Sequence, residues 1–123
     1  MAQILIIDDS PTDVRVFTTL LERAGHEVHA VHSAEEGIER VHAQLPDVVI
    51  MDVIMPGMNG FQATRMLTRD PATAGVPVII ITTKSMETDR VWGLRQGAKA
   101  FITKPVNEKE LLGCINGLLQ NAS

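Results

Sequence analysis

Short apolar runs alternate with longer segments of helical pattern along the whole chain. Residues 4–7, 48–51 and 78–81 are continuously apolar and mostly β-branched. Runs of this kind are typical of parallel strands that are covered on both faces. Residues 27–31 and 99–103 are more polar, which predicts two further strands at the edges of the same sheet.

Capping residues mark the ends of the helices predicted between these strands. Pro11 suits a first helical position and Gly25 a C-terminal cap. Further N-terminal caps are predicted at Ser33 with Glu36, at Ser85, and at Asn107 with Glu110. Gly97 is predicted to end the fourth helix. Five βα units with right-handed crossovers predict an α/β fold, a doubly wound parallel sheet with strand order 2-1-3-4-5.

Composition narrows the class of protein. The chain has 123 residues, a length that predicts one domain over 1–123 with no attached output domain. The formal net charge is −4, which argues against binding to nucleic acid or to an anionic membrane. Cys114 is the only cysteine, so no internal disulfide can form. With no long apolar run either, the expected location is the cytoplasm.

The predicted strands end on residues that can carry chemistry. In chain order these residues are Asp8 and Asp9, Asp52, Thr82 and Thr83, and Lys104. Ligands of doubly wound sheets gather at the carboxyl ends of the strands. Because strands one and three are expected to be neighbours, Asp8, Asp9 and Asp52 should converge.

Three converging carboxylates favour a bound cation, because they repel one another otherwise. Oxygen ligands select a hard divalent ion, and a few carboxylates with water suit Mg²⁺ better than Ca²⁺. With Lys104 and Thr82 opposite, the pattern indicates phosphoryl chemistry in which Asp52 is the nucleophile and forms an aspartyl-phosphate. The acidic pair, the threonine and the lysine are each common in solvated turns or at strand ends, so the prediction depends on their occurring together.

These motifs resemble the receiver domain of two-component response regulators. The resemblance covers about residues 3–120 and is carried by Asp8-Asp9-Ser10, residues 51–60, Ile81-Thr82 and Lys104-Pro105. It implies a flavodoxin-like fold and a histidine kinase that donates a phosphoryl group to Asp52. It also implies that Asp8, Asp9, Asp52 and the backbone carbonyl of Ile54 bind Mg²⁺.

The same resemblance implies how a receiver of this kind senses the phosphoryl group. Thr82 and Lys104 would contact it, and Phe101 matches the switch aromatic that reorients as Thr82 moves. Thr83 is bulkier than the small residue usual at its position, which would slow access of water or donor. Gly57 and Gly60 fit the loop after Asp52, where positive φ is expected.

A narrower resemblance concerns PilH-type regulators. It is carried by residues 60–65 (GFQATR), 82–84 (TTK) and 88–93 (TDRVWG). It implies a stand-alone receiver in the chemosensory system that controls type IV pili and twitching motility. We expect the protein to be a monomer. The alternative within the family is a single-domain receiver of another chemotaxis-like pathway, or a phosphate sink.

The fourth helix carries the chain's only tryptophan. At 100° per residue, Val91, Leu94 and Ala98 share one face, which predicts that they pack on the core. Trp92 then falls on the opposite, polar face. An aromatic side chain at such a position indicates a partner surface, and the expected target site is helix four, strand five and helix five. The competing interpretation is that Trp92 packs on a neighbouring helix.

Two other protein classes remain as alternatives. A phosphatase of the haloacid-dehalogenase type would need Asp-x-Asp at the end of the first strand, where the sequence has Asp8-Asp9-Ser10. A flavin-binding module would need a hydroxyl- and glycine-rich loop there. Neither pattern is present, so we expect catalysis only of the protein's own phosphorylation and dephosphorylation. The four histidines are interpreted as surface residues, and Cys114 as a buried structural thiol.

Overall fold

The computed structural model describes residues 1–121, in which five strands alternate with five helices. The strands are β1 (Gln3–Ile7), β2 (Glu27–Val31), β3 (Val48–Met51), β4 (Val78–Thr82) and β5 (Ala100–Thr103). The helices are α1 (Pro11–Arg23), α2 (Ala34–Ala43), α3 (Gly60–Arg69), α4 (Glu87–Arg95) and α5 (Glu108–Asn121). The predicted domain end at Ser123 lies outside the described residues.

The strands form one parallel sheet in the order β2-β1-β3-β4-β5, which confirms the predicted topology and both predicted edge strands. In the register of the central pair, Ile7 lies opposite Met51. The next residues along each chain, Asp8 and Asp52, therefore leave the sheet side by side. Strand register alone brings the two acidic strand ends together.

Each central strand contributes side chains to both faces of the sheet. Ile7, Met51 and Ile80 point to the face covered by α2, α3 and α4. Their chain neighbours, such as Ile6 and Ile50, point to the face covered by α1 and α5. Because successive side chains of a strand alternate between faces, burial on both faces requires the continuous apolar runs seen in the sequence. Each such isoleucine stabilises the fold by about 1.5–3 kcal/mol.

Most predicted helix ends are confirmed. Pro11 opens α1 after the N-cap Ser10, and the Ser33 hydroxyl accepts a hydrogen bond from the backbone N–H of Glu36. Asn107 accepts from the backbone N–H of Glu110. Gly25 and Gly97 have φ of +93° and +106° and follow the last residues of α1 and α4 closely, as glycine C-terminal caps do.

The predicted start of α4 at Ser85 is wrong. The helix begins at Glu87, and its N-cap is Met86, which makes no side-chain capping hydrogen bond. The carboxylate of Asp89 instead accepts from the backbone N–H of Met86 at 3.3 Å. The first turn of α4 is therefore capped from inside the helix rather than by a preceding hydroxyl.

The face of α4 that was predicted to pack on the core is also only partly right. Ala98, just after the helix, is buried, but Val91 and Leu94 are each 37% exposed. The helix instead turns Gly93 toward the sheet, where a Cβ would lie 3.0 Å from side-chain atoms of Ile80 and Phe101. Periodicity of apolar side chains missed this face because its central residue has no side chain.

The two glycines of the loop after β3 serve different purposes. Gly57 has φ of +79°, as predicted. Gly60 does not have positive φ, so that part of the prediction is wrong. A Cβ at Gly60 would collide with the backbone carbonyl oxygen of Asp52. Gly60 thus permits close approach of α3 to the end of β3, which holds the Asp52 backbone in place.

Candidate functional site

Three aspartates meet at the carboxyl ends of β1 and β3. The backbone N–H of Asp52 donates to the carbonyl oxygen of Ile7 at 2.9 Å, which extends the strand pairing by one residue. One carboxylate oxygen from each of Asp8, Asp9 and Asp52 lies within 4.8 Å of the others. Asp8 and Asp52 are buried, and Asp9 is exposed. The cluster therefore has a buried floor and one side that opens to solvent.

Lys104, which follows β5 at the same edge of the sheet, brings a positive charge into this cluster. Its backbone N–H donates to the carbonyl oxygen of Thr82 at 2.8 Å, which fixes the residue beyond the end of β5. The Nζ ammonium lies 3.0 Å from Asp8 Oδ2 and 3.4 Å from Asp52 Oδ2. The predicted meeting of the lysine with the acidic group is thus present in the structure.

The Asp52 carboxylate is oriented by two different contacts. Its Oδ1 accepts a hydrogen bond from the backbone N–H of Val53 at 2.8 Å. Its Oδ2 faces the ammonium of Lys104. One oxygen is therefore fixed by the backbone, while the other is held by a side chain that can exchange partners.

Burial and charge shift two pKa values in the site. Burial raises the pKa of Asp8 above its ordinary value, and the neighbouring Asp52 charge adds to this. Hydrogen bonds from the Ser10 backbone and from Lys104 oppose the rise. Burial acts to lower the pKa of Lys104, but hydrogen bonds to Asp13 and Asp8 and the surrounding carboxylate charges outweigh it and raise that pKa.

Asp13 belongs to the site and was missed in the sequence. Its Oδ2 lies 2.7 Å from Lys104 Nζ, closer than Asp8 or Asp52. The residue stands in the first turn of α1, three positions after the N-cap Ser10. Acidic residues are favoured in first helical turns whatever the function, because of the helix dipole. The only available signal was its position one turn after the acidic strand end, and that signal is ambiguous.

The remaining predicted site residues are Thr82, Thr83, Ile54 and Phe101. Thr82 is fully buried, and its hydroxyl accepts from the backbone N–H of Lys84 at 3.4 Å. Thr83 is exposed. The side chain of Ile54 is also exposed, and the role of its carbonyl stays a prediction. Phe101 is half-buried, and its ring lies against Gly93 of α4.

Trp92 is exposed over 48% of its surface, in agreement with its predicted outward position. Met86, Val91 and Leu94 are exposed near it in the sequence of α4 and its N-cap. A large aromatic side chain left in solvent on a helix is typical of protein interaction sites.

Three of the four histidines are exposed as predicted, but His26 is half-buried, and His32 Nδ1 lies 3.4 Å from the backbone carbonyl oxygen of Asp8. His42 is exposed as predicted, but its Nε2 also pairs with Asp70 Oδ2 at 2.7 Å. Cys114 is half-buried rather than fully buried, and burial raises the pKa of its thiol. In residues 1–121, no helix is long and apolar enough to cross a membrane.

The donor set fits a hard divalent cation. Lys104 pairs with Asp8, Asp13 and Asp52, and Asp9 adds a further carboxylate to the group, which leaves an excess of negative charge at the open side of the cluster. All of the candidate ligand atoms of Asp8, Asp9 and Asp52 are carboxylate oxygens. Such a set suits Mg²⁺ and excludes ions that need nitrogen or sulfur ligands.

Comparison with known proteins agrees with this geometry. Residues 4–116 match the response regulator receiver domain family. The chain is 54% identical over 119 residues to the protein PilH of Pseudomonas aeruginosa, covering 97% of this chain and 98% of that protein. It is 36% identical over 117 residues to the response regulator PleD of Caulobacter vibrioides, of which it spans only 26%.

Solved structures show the same architecture. A CheY-like receiver domain protein from Methanospirillum hungatei superposes with a TM-score of 0.91 at 28% identity, over 99% of this chain and 96% of that chain. The chemotaxis protein CheY4 of Vibrio cholerae gives a TM-score of 0.88 at 28% identity, over 97% and 99% of the two chains. The acidic strand ends, the sheet order and these matches together show that the chain belongs to the response regulator receiver domain family.

Proposed function

We propose that this receiver accepts a phosphoryl group on Asp52 from a histidine kinase and passes the signal to a partner protein as a change of conformation. The observation that carries the proposal is the environment of the Asp52 carboxylate. Backbone geometry fixes its Oδ1, while Oδ2 faces Lys104 beside two further carboxylates. This arrangement presents one nucleophilic oxygen next to the groups that neutralise phosphoryl charge.

The transfer conserves atoms and charge without a further reactant. A carboxylate oxygen of Asp52 forms a bond to phosphorus as the phosphorus–nitrogen bond of the kinase phosphohistidine breaks. The bonding electron pair stays on the imidazole nitrogen, and because the other ring nitrogen of the phosphohistidine carries a proton, the ring leaves as neutral histidine. Hydrolysis later adds water to the acyl-phosphate and returns the Asp52 carboxylate and inorganic phosphate. Lys104 stabilises the charge on the phosphoryl oxygens, and Thr82 donates its hydroxyl to one of them.

Asp8, Asp9, Asp52 and the backbone carbonyl of Ile54 are the groups that would hold Mg²⁺. When bound, the ion would supply positive charge where the transferred group carries negative charge. The chain's own part is to keep these oxygens together. Strand pairing fixes Asp8 beside Asp52, and Gly60 lets α3 close on the Asp52 backbone.

The signal leaves the site through β4 and β5. Thr82 ends β4, and Phe101 lies in β5 opposite Ile80 of β4. When Thr82 turns toward the phosphoryl group, the space it leaves is available to Phe101, whose ring already lies against Gly93. Phe101 therefore couples the site to α4. The target protein binds the face formed by α4, β5 and α5, and Trp92 is a contact residue of that face.

The pathway follows from the resemblance to PilH-type regulators and from the identity to PilH over nearly the whole of both chains. We assign the protein to chemosensory control of type IV pili and twitching motility. It acts there as a monomeric, cytoplasmic receiver, without nucleic acid or membrane as partners. A receiver of another chemotaxis-like pathway, or a phosphate sink, is the alternative within the family.

Incubation with phosphoramidate and Mg²⁺, followed by intact-mass spectrometry, tests the acceptor. Wild-type protein should gain one phosphoryl group, and Asp52→Asn should gain none. Asp47→Asn is the matched control, because this exposed aspartate precedes the same strand at its opposite end. Full labelling of Asp52→Asn would overturn the proposal. Phosphotransfer profiling against histidine kinases of the source organism then identifies the pathway.

A further inference from the structure

Asp13 is the nearest partner of Lys104, yet it stands outside the three-carboxylate cluster. Its Oδ2 is 2.7 Å from the ammonium, compared with 3.0 Å for Asp8 and 3.4 Å for Asp52. The Asp13 side chain is 36% exposed, whereas that of Asp8 is 1% exposed. Lys104 therefore bridges the buried floor of the site and its solvent-facing rim.

Helix α1 holds Lys104 by more than this ion pair. Phe17 lies one helical turn after Asp13, on the same face of α1, and the Lys104 ammonium is 6.0 Å from the centre of its ring. An ammonium at this distance is attracted by the aromatic ring. The side chain of Lys104 is only 9% exposed as a result of these contacts. One face of α1 thus offers the lysine a carboxylate and a ring.

The floor of the site presents a conflict of charge. Lys104 donates to Asp8 and Asp52, which are two of the three carboxylates of the proposed cation site. An ammonium has three N–H donors, and all three have carboxylate acceptors in the structure. A divalent cation bound by the same oxygens would repel the ammonium, so the lysine needs an acceptor away from the cluster.

We propose that Asp13 is a positioning residue that keeps the Lys104 ammonium at the rim of the site, so that Asp8 and Asp52 are free to bind a divalent cation. This inference rests on the proposed function. Without Asp13, Lys104 has only the cluster carboxylates as acceptors and competes with the cation for them.

Magnesium binding to the full chain, measured by titration calorimetry, tests the proposal. Asp13→Asn should weaken Mg²⁺ affinity about fivefold, the order expected for an ion pair with one exposed partner. Asp13→Glu keeps a carboxylate at the rim and should stay near the wild-type affinity. Glu36→Gln is the matched control, because Glu36 holds the same first-turn position in α2 after the N-cap Ser33. It should leave the affinity unchanged.

A double-mutant cycle with Lys104→Gln separates action through the lysine from the loss of one negative charge. If Asp13 acts through Lys104, Asp13→Asn should change the affinity by less than about twofold in the Lys104→Gln background. An equal loss in both backgrounds would mean that Asp13 is simply a nearby charge, and the proposal would be wrong.

A second measurement needs no change at Lys104, whose loss leaves four carboxylates unbalanced and can prevent folding. The side-chain ammonium of Lys104 can be followed by ¹⁵N NMR during Mg²⁺ addition. In wild-type protein the signal should remain protected from exchange with water, whereas in Asp13→Asn it should be lost. Equal protection in both proteins would refute the role of Asp13.

Different experimental outcomes would refute the role of Asp13 and the proposed function. Wild-type protein that binds no Mg²⁺ and gains no phosphoryl group would overturn both. If wild-type protein binds Mg²⁺ and labels on Asp52, while Asp13→Asn binds Mg²⁺ equally well, only the role of Asp13 is refuted.

Discussion

Helices α3 and α4 cover the same face of the sheet but are held there in different ways. In α3, the side chain of Asn59 accepts from the backbone N–H of Gln62, and the Gln62 side chain accepts in return from the backbone N–H of Asn59. That helix buries four residues, including Ala63 and Leu67. In α4, the side chain of the N-cap residue Met86 makes no capping hydrogen bond, and Gly93 is the only buried residue within the helix.

The difference teaches how one fold combines a fixed site with an adaptable surface. The loop from Asp52 leads into α3, which is anchored by its cap and its core leucine. The loop from Thr82 leads into α4, which leaves Val91, Trp92 and Leu94 partly in solvent. Elements with few buried apolar contacts open and move most readily. The acceptor side is therefore rigid, while the proposed output side is free to repack.

The largest expected difference concerns the leucines of the two helices. Leu67 of α3 is 1% exposed and Leu94 of α4 is 37% exposed. We expect Leu67→Ala to lower the free energy of unfolding by about 2–5 kcal/mol. Leu94→Ala should lower it by about 1–2 kcal/mol, because more than a third of Leu94 is already in solvent and less apolar area is lost from the core. Urea unfolding of both variants measures this, and equal losses would contradict the contrast between the helices.

Each of the two helices has a glycine packed closely against the sheet or the loop after it, and alanine substitutions there sharpen the comparison. A Cβ at Gly60 meets the backbone of Asp52 and Val53, whereas a Cβ at Gly93 meets the side chains of Ile80 and Phe101. Gly60→Ala should destabilise the protein by about 1–3 kcal/mol, since backbone cannot yield easily. Gly93→Ala should cost less and should shift the NMR signals of Phe101. If Gly93→Ala is the more destabilising of the two, α4 is anchored more firmly than we infer.

Substitutions at the N-caps of α3 and α4 should change stability by smaller amounts and in opposite directions. Asn59→Ala removes the reciprocal cap of α3 and should cost about 1 kcal/mol. Met86→Ser introduces a hydroxyl at an N-cap with extended backbone, and should stabilise α4 by about 0.5 kcal/mol. Amide hydrogen exchange resolves each helix separately. Slower exchange in α4 of Met86→Ser, with α3 unchanged, is the expected result; no change in α4 would show that its first turn is already satisfied.

The smallest expected effect is a pH dependence at the end of α3. The Asp70 carboxylate, at the C-cap of α3, accepts from His42 of α2, and this bond raises the pKa of His42 above 6.5. A histidine whose pKa is raised by folding contributes stability that is present below pH 6.5 and is lost as pH rises through the folded value.

The variant His42→Gln should remove this dependence. Wild-type protein is expected to lose slightly more stability than the variant between pH 6.5 and the raised folded pKa. Urea unfolding at pH values on both sides of that window compares the two proteins. Because the pair is exposed, 150 mM salt should reduce the difference. Parallel pH profiles would show that the contact adds nothing to the anchoring of α3.

Much of the candidate site could be predicted because it follows from strand ends. Asp8, Asp52 and Lys104 each stand directly after a strand, so the strand order was enough to bring them together. Asp13 could not be recognised in the same way, since its role depends on the side chain of Lys104 reaching from the end of β5 to the first turn of α1. The exposed position of Trp92 was predicted, but the buried position of Gly93 was not.

The sequence by itself determined the alternation of strands and helices, the sheet order, and the acidic carboxyl edge. These features depend on local patterns, namely continuous apolar runs, capping residues, and the handedness of parallel crossovers. Only the tertiary structure decided which face of α4 meets the sheet and which carboxylate lies closest to Lys104. Both depend on packing between elements distant in sequence: a glycine is selected for the space it leaves, and an ammonium takes whichever acceptor the fold places within reach.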